Sequence, residues 1–372
     1  MKTGSTLADR MIIAVRTSSG TIEPLPDRPP AEGETAIPPW ISEGREVYRR
    51  GLILALDAAA GRAFPGSSLW VEHSISLGYR CRLDPKPGIS SVDVVESLGR
   101  ALEDVVSEAI PIRFRRLGRE ESGEYELVRW SDGPNPVIIN ELGDSRAFAM
   151  GPAVPDTSWL DSWELKPQGP DFVLRFPGSA SWPGIDKWMK RPKLAREFDL
   201  EEKHIERMRV GTIDELNRRI EEDGGLEIVI MSHFYQNYRI VEIVKSLEAQ
   251  FPARRIITIA GPSSSGKTTI ARLLSTYLRA QGFGARTVSV DNYFRHRSDT
   301  PTDEKGNPDF ESLDALETGM FGRDLHDLLE GEEVMLPRFD FEEGVRHDRV
   351  TPMKLEDNEF LLVEGIHGLN DA

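Results

Sequence analysis

"RIITIAGPSSSGKTTIARLL", residues 255–274, runs from a short apolar segment through a turn of glycine, proline and three serines into apolar residues at helical spacing. The pattern predicts a strand over 256–260, a turn, and a helix from Thr268 to about Gln281. Gly261 through Thr268 fit G-x-x-x-x-G-K-[ST], which arises by chance in roughly one chain in a hundred of this length. The flanking strand and helix make accident rarer still. Glycines permit backbone angles that let successive N–H groups converge on one anion. The helix N-terminus adds unpaired N–H groups and a positive dipole end. Gly261, Pro262, Ser263, Ser264, Ser265, Gly266, Lys267, Thr268 and Thr269 are therefore read as a cradle for ATP phosphates. Lys267 would reach the β- and γ-phosphates, and the Thr268 hydroxyl would ligate Mg²⁺.

Two further strands end on acids. The run 285–290 leads into Asp291, and "EFLLVEG" (359–365) carries Glu364 near its end. Ligands of open α/β sheets bind beyond the carboxyl ends of the strands, so both carboxylates should face the glycine loop. Asp291 is suited to accept the proton of an attacking hydroxyl, and Glu364 to hold Mg²⁺. The plainer alternatives are a turn-forming Asp-Asn and a strand-end acid. Between these strands, "NPDFESLDALE" and "LPRFDFEEGVRHDR" mix aromatics with acids. Phe310, Phe339 and Phe341 are candidates for a stacking pocket, and equally for core.

Composition narrows the setting. The chain has 372 residues, 39% of them hydrophobic, and a net charge of −16. Such charge disfavours a broad nucleic-acid or anionic-membrane surface but allows a local phosphate pocket. No apolar run is long enough for a membrane span. The single cysteine, Cys81, excludes an intrachain disulfide and fits a cytoplasmic setting. Residues 1–40, rich in Pro, Gly and Ser, read as an extended segment or linker, and 41–178 as an α+β domain. Residues 179–253 read as a helical connecting region whose alternating charges suggest solvated faces. Residues 254–372 alternate strand and helix as an α/β domain. His73 and Cys81 read as structural rather than as a metal pair. His233, beside Phe234, Tyr235 and Tyr238, reads as helix packing against a neighbouring domain rather than as an RNA-stacking patch. The cluster Trp159, Trp163, Trp182 and Trp188 reads as packing at a domain interface.

The motifs "GPSSSGKTT", "VSVDNYF", "DFESLDAL", "LPRFDF" and "LLVEGIHGL", in this order over 255–369, resemble the uridine kinase family, whose fold phosphoribulokinases share. The resemblance implies an incomplete P-loop NTPase-type parallel sheet, ATP and Mg²⁺ as cofactors, and a small-molecule acceptor such as a nucleoside. It implies that Asp291 activates the acceptor 5′-hydroxyl and that Phe310 and Glu311 lie near the ribose. Phe339 and Phe294 fall where the family has aromatics, often Tyr, near the base. Gly344 stands where a nucleoside-specific member has a base-contacting His, so this chain departs from the pattern there.

The N-terminal region resembles the editing-type second additional domain of threonyl-tRNA synthetase. "YRRGLILALDAAAGRAFPGSSL" and "LGDSRAFAMGPAVPDTSWLDSWEL" match the segments that carry H-x-x-x-H and C-x-x-x-H metal ligands in that domain. The four ligand positions read Arg50, Leu54, Ala149 and Ala153 in this chain. The resemblance thus implies a scaffold without metal or hydrolytic chemistry.

Eight residues follow Glu364. A doubly wound kinase core needs further strands and an arginine-bearing lid, so the chain is expected to be a fragment, with an unpaired strand beside Glu364 and weak turnover by itself. The expected activity is ATP-dependent phosphorylation of a nucleoside hydroxyl. The alternatives are an ATP-binding sensor or RNA-associated module without turnover, and a phosphoribulokinase-like sugar-phosphate kinase. The sequence leaves the oligomeric state open.

Overall fold

The computed structural model describes residues 12–26, 29–117, 137–178, 181–262, 264–302 and 306–368. Ser263 of the glycine loop and residues 1–11 lie outside the described residues. The chain divides into two compact units, Met1–Arg219 and Ile220–Ala372.

In the first unit, short strands β1 (Ala14–Arg16), β2 (Ile22–Pro24) and β3 (Thr35–Ile37) form an antiparallel sheet of order β2-β1-β3. This corrects the reading of 1–40 as an extended linker. Ile13, Ala14 and Ile37 are buried in the unit's main core, and three-residue strands among prolines leave too little alternation to read. Helix α1 (Ser42–Ala63) follows, then strands β4 (Ser68–Ile75) and β5 (Gly78–Asp84). Helix α2 (Ser91–Ser107) is capped by Ser90, whose hydroxyl accepts from the Asp93 amide. Strands β6 (Arg113–Leu117), β7 (Val137–Leu142) and β8 (Ser145–Phe148) make a second antiparallel sheet. Strands β9 (Glu164–Gln168) and β10 (Asp171–Arg175) complete a third, of order β4-β5-β10-β9. Its Phe172 and Leu174 bury against Leu52 and Leu56 of α1 and Leu98 and Leu102 of α2. The result is α+β.

Three of the four positions that would hold metal in the synthetase-type domain, Arg50, Leu54 and Ala153, carry packing instead. Leu54 is fully buried and Ala153 nearly so. The Arg50 guanidinium donates to the Pro152 carbonyl at 3.0 Å. Burial holds Arg50 below the usual guanidinium range. A Cβ on Gly151 would come within 3.0 Å of that guanidinium, so the small residue makes room for it. The tryptophans expected at a domain interface are also placed differently. Trp159, Trp163 and Trp182 pack on the core of this unit, and the Arg175 guanidinium lies over Trp188.

Two helices follow: α3 (Pro192–Met208), within this unit, and α4 (Ile213–Asp223), which spans the boundary at Arg219. Asp199 and Glu202 of α3 do not simply face water. Both reach Arg80 of β5, which also pairs with Glu72 and, at 2.5 Å, with the buried Asp171. Phe198 stacks on His73 with centroids 3.7 Å apart. Cys81 is buried, its thiol pushed up to about 12 by burial. Removing one member of such a cluster strands the others in low dielectric. Arg80→Met is therefore expected to destabilise this unit by about 3 kcal/mol or more, read as a lower midpoint in urea unfolding.

In the second unit, helix α5 (Leu226–Glu248) packs through Ile240 and Val244, while Phe234 and Tyr238 are exposed. Part of the expected connecting region thus belongs to this unit's core. Strand β11 (Ile256–Ala260) leads through the glycine loop to helix α6 (Lys267–Ala280) and strand β12 (Gly284–Ser289). Helix α7 (Thr318–Leu329), the antiparallel hairpin β13 (Val334–Asp340) and β14 (Val345–Met353), and strand β15 (Glu359–Gly365) follow. The sheet is parallel, in the order β11-β15-β12. Its middle strand is the one that carries Glu364, which corrects the expectation of an unpaired strand there: β15 pairs on both sides. Phe360 and Leu362 face Leu274 and Leu278 of α6, while Leu361 and Val363 face Tyr293, Leu328 and Leu336. Burial on both faces explains the unbroken apolar run of this strand. Among the described residues no helix is long and apolar enough to cross a membrane.

Candidate functional site

The parallel register decides where the site forms. Ile259 and Ser289 flank Glu364, so the glycine loop after Ala260, Glu364 and Asp291 all emerge at the carboxyl edge of the sheet. Ser264 and Gly266 take positive φ, +61° and +85°, which turns the loop amides. A Cβ on Gly261 would stand 2.7 Å from the Ser265 hydroxyl, which would have to rotate away. No side chain caps α6, and its first N–H groups are left for a ligand. Lys267 Nζ donates to the Pro262 carbonyl at 2.8 Å, folding the lysine back over the loop. The Thr268 hydroxyl donates to Glu364 Oε2 at 2.9 Å. A hydroxyl and a carboxylate side by side form an oxygen-only set of the kind that suits Mg²⁺. Thr269 lies exposed in the first turn of α6.

Beyond the loop lies a cavity of about 970 Å³. Gly261, Pro262, Asp291, Phe294, Phe310, Glu311, Phe339 and Phe341 all line it. The structure therefore gathers the acceptor-side residues expected from sequence around one space. The aromatics answer the question of core or pocket by doing both. Phe294 and Phe339 are 5% exposed and belong to the core, whereas Phe341 is 59% exposed. Edge-to-face contacts join them, with centroids 5.7 Å apart for Phe294–Phe339 and 5.0 Å for Phe339–Phe341. The Phe339 amide donates to Asn292 Oδ1, tying the hairpin to the segment that carries Asp291.

Burial lifts the Asp291 carboxyl above the usual aspartate range, and nearby Glu364 adds to this; Lys267 and His367 oppose it. The four groups thus share one electrostatic neighbourhood. The ionisable lining residues that escaped the sequence reading are Arg297 and His367. Among the described residues the buried His367 Nε2 has no hydrogen bond partner. Its place within "LLVEGIHGL", three residues past the strand acid, was the available signal. Arg297 sits in the charged run "RHRSD", which resembles any solvated loop. His347 lies exposed on β14 and is no substitute for the histidine missing at Gly344.

Residues 256–372 match the model of the phosphoribulokinase / uridine kinase family. A uridine kinase of Leuconostoc citreum is 33% identical over 117 residues, which cover 32% of this chain and 55% of that protein. A threonine–tRNA ligase of Carboxydothermus hydrogenoformans is 30% identical over 133 residues, 33% of this chain and 21% of the ligase, and matches in the N-terminal region. A solved structure of a possible uridine kinase from Bacillus stearothermophilus aligns with TM-score 0.32 and 24% identity, over 37% of this chain and 74% of that one. The chain spans about half the length of the curated uridine kinases it matches. The family match and the uridine kinase relatives support a P-loop kinase domain over residues 256–372, where the strands form a parallel sheet.

Proposed function

We propose that the whole protein transfers the γ-phosphate of ATP to a hydroxyl of a nucleoside. The observation that carries this reading is the placement of Asp291 and four phenylalanines around one cavity that opens onto the glycine loop. The loop amides and Lys267 hold the phosphate chain. Thr268 and Glu364 would hold Mg²⁺, which would supply neutralisation of charge on the phosphate oxygens. Glu311 accepts from sugar hydroxyls, and the phenylalanines pack against the base. Asp291 takes the proton of the acceptor hydroxyl as its oxygen bonds to the γ-phosphorus; the bond from that phosphorus to the bridging oxygen breaks, and ADP leaves with the electron pair. A carboxylate kept partly out of water is a stronger base than an exposed one, which suits this role.

The test is ATP consumption with a panel of nucleosides and sugar phosphates. Turnover is expected with nucleosides and only at background without an acceptor. Turnover confined to sugar phosphates, or equal with and without acceptor, would contradict the reading.

A further inference from the structure

We infer that Arg297 selects the acceptor's base, favouring bases with a carbonyl at the edge it faces over bases with an amino group there. This rests on the nucleoside-kinase reading and goes beyond it. Gly344 adopts a φ of +70°, and a Cβ there would come within 2.6 Å of Arg297 Nε. The arginine thus occupies the space that a side chain at position 344 would need. It is held there by the hairpin turn. Its amide donates to the Gly344 carbonyl at 2.8 Å, and its guanidinium donates to the Phe341 carbonyl at 2.8 Å. These two bonds tie Arg297, itself exposed, to the hairpin turn, and both Arg297 and Phe341 line the cavity.

Among the described residues no carboxylate forms an ion pair with Arg297, so its remaining N–H groups are not consumed by an acid. A guanidinium only donates. An imidazole can donate or accept, so a histidine reader tolerates either a carbonyl or an amine. Arginine does not. Uracil and hypoxanthine present a carbonyl oxygen where cytosine and adenine present an NH₂. Against the amino bases the donors of Arg297 would face donors, and the site would lose a hydrogen bond without gaining one. A phosphate on the acceptor is the other ligand a free arginine could take. The surroundings disfavour it: two carboxylates, Asp291 and Glu311, line the same cavity.

The experiment compares kcat/KM for uridine and cytidine, and for inosine and adenosine, in the wild type, Arg297→Gln and Arg297→Lys. The wild type is expected to favour the oxo base of each pair by at least about tenfold. Arg297→Gln, whose amide both donates and accepts, brings the ratios to within about twofold, mainly through the oxo-base KM, and leaves ATP affinity unchanged. Arg297→Lys, still only a donor, keeps the preference. A merely structural role would lower all four values together in both variants and would overturn the inference. So would equal use of uridine and cytidine by the wild type, or a preference unmoved by Arg297→Gln. These outcomes leave nucleoside phosphorylation standing; absence of turnover with every nucleoside overturns both.

Discussion

Replacing Asp291 with Asn is expected to lower acceptor phosphorylation by about 10²–10⁴-fold while ATP affinity stays within about twofold. The asparagine keeps the shape of the side chain and removes its capacity to take a proton. The pH profile separates this from a packing defect. Burial raises the Asp291 carboxyl above its ordinary value of 3.8, with Glu364 pushing the same way and Lys267 and His367 pushing back. The base works only as the carboxylate, so transfer should fall as pH drops through that raised value. The acid limb therefore lies higher than for an exposed aspartate, and the asparagine variant lacks it. Stability runs in the opposite sense. A carboxyl whose folded pKa is raised stabilises the fold only while protonated, and the contribution is lost as pH rises through that pKa. At neutral pH the variant should be no less stable than the wild type, so lost transfer cannot be assigned to unfolding. Wild-type transfer in the variant would remove Asp291 from its assigned role.

Lys267→Ala should act earlier, on the nucleotide itself. Lys267 Nζ rests on the neutral Pro262 carbonyl, a partner it exchanges for phosphate at little cost. With it gone, the loop keeps its amides and loses its only side-chain cation. Transfer is expected to fall by about 10²–10³-fold, with ATP binding weakened at least tenfold in calorimetric titration. The fold should persist, because the lysine side chain belongs to neither of the unit's two cores. Unchanged ATP affinity in this variant would mean that the loop does not hold the phosphates.

The second unit was legible because its signals are local and redundant. A strand, a turn that only glycine fits, and a helix lie within 20 consecutive residues, and β15 shows its burial on both faces as an unbroken apolar run. Asp291 and Glu364 were legible because strand ends in a parallel sheet share one edge. What escaped depends on distant partners. The charges of α3 look solvated in sequence, yet Asp199 and Glu202 converge on Arg80, more than a hundred residues away. The tryptophans of 159–188 look like an interface until α1 and its sheet supply the core beneath them. Arg297 became visible only when the hairpin brought Gly344 against it. A missing side chain at one position and a cation from another loop form one feature in space, and no local pattern records it.

The most direct measurement is a crystal structure of the protein with Mg²⁺, a non-hydrolysable ATP analogue and uridine. The account predicts the analogue's β- and γ-phosphate oxygens within hydrogen-bonding distance of the loop amides and Lys267 Nζ. It also predicts the uridine 5′-hydroxyl within about 3 Å of the Asp291 carboxylate. Phosphates bound away from the loop, or an Asp291 carboxylate turned from the acceptor hydroxyl, would contradict it.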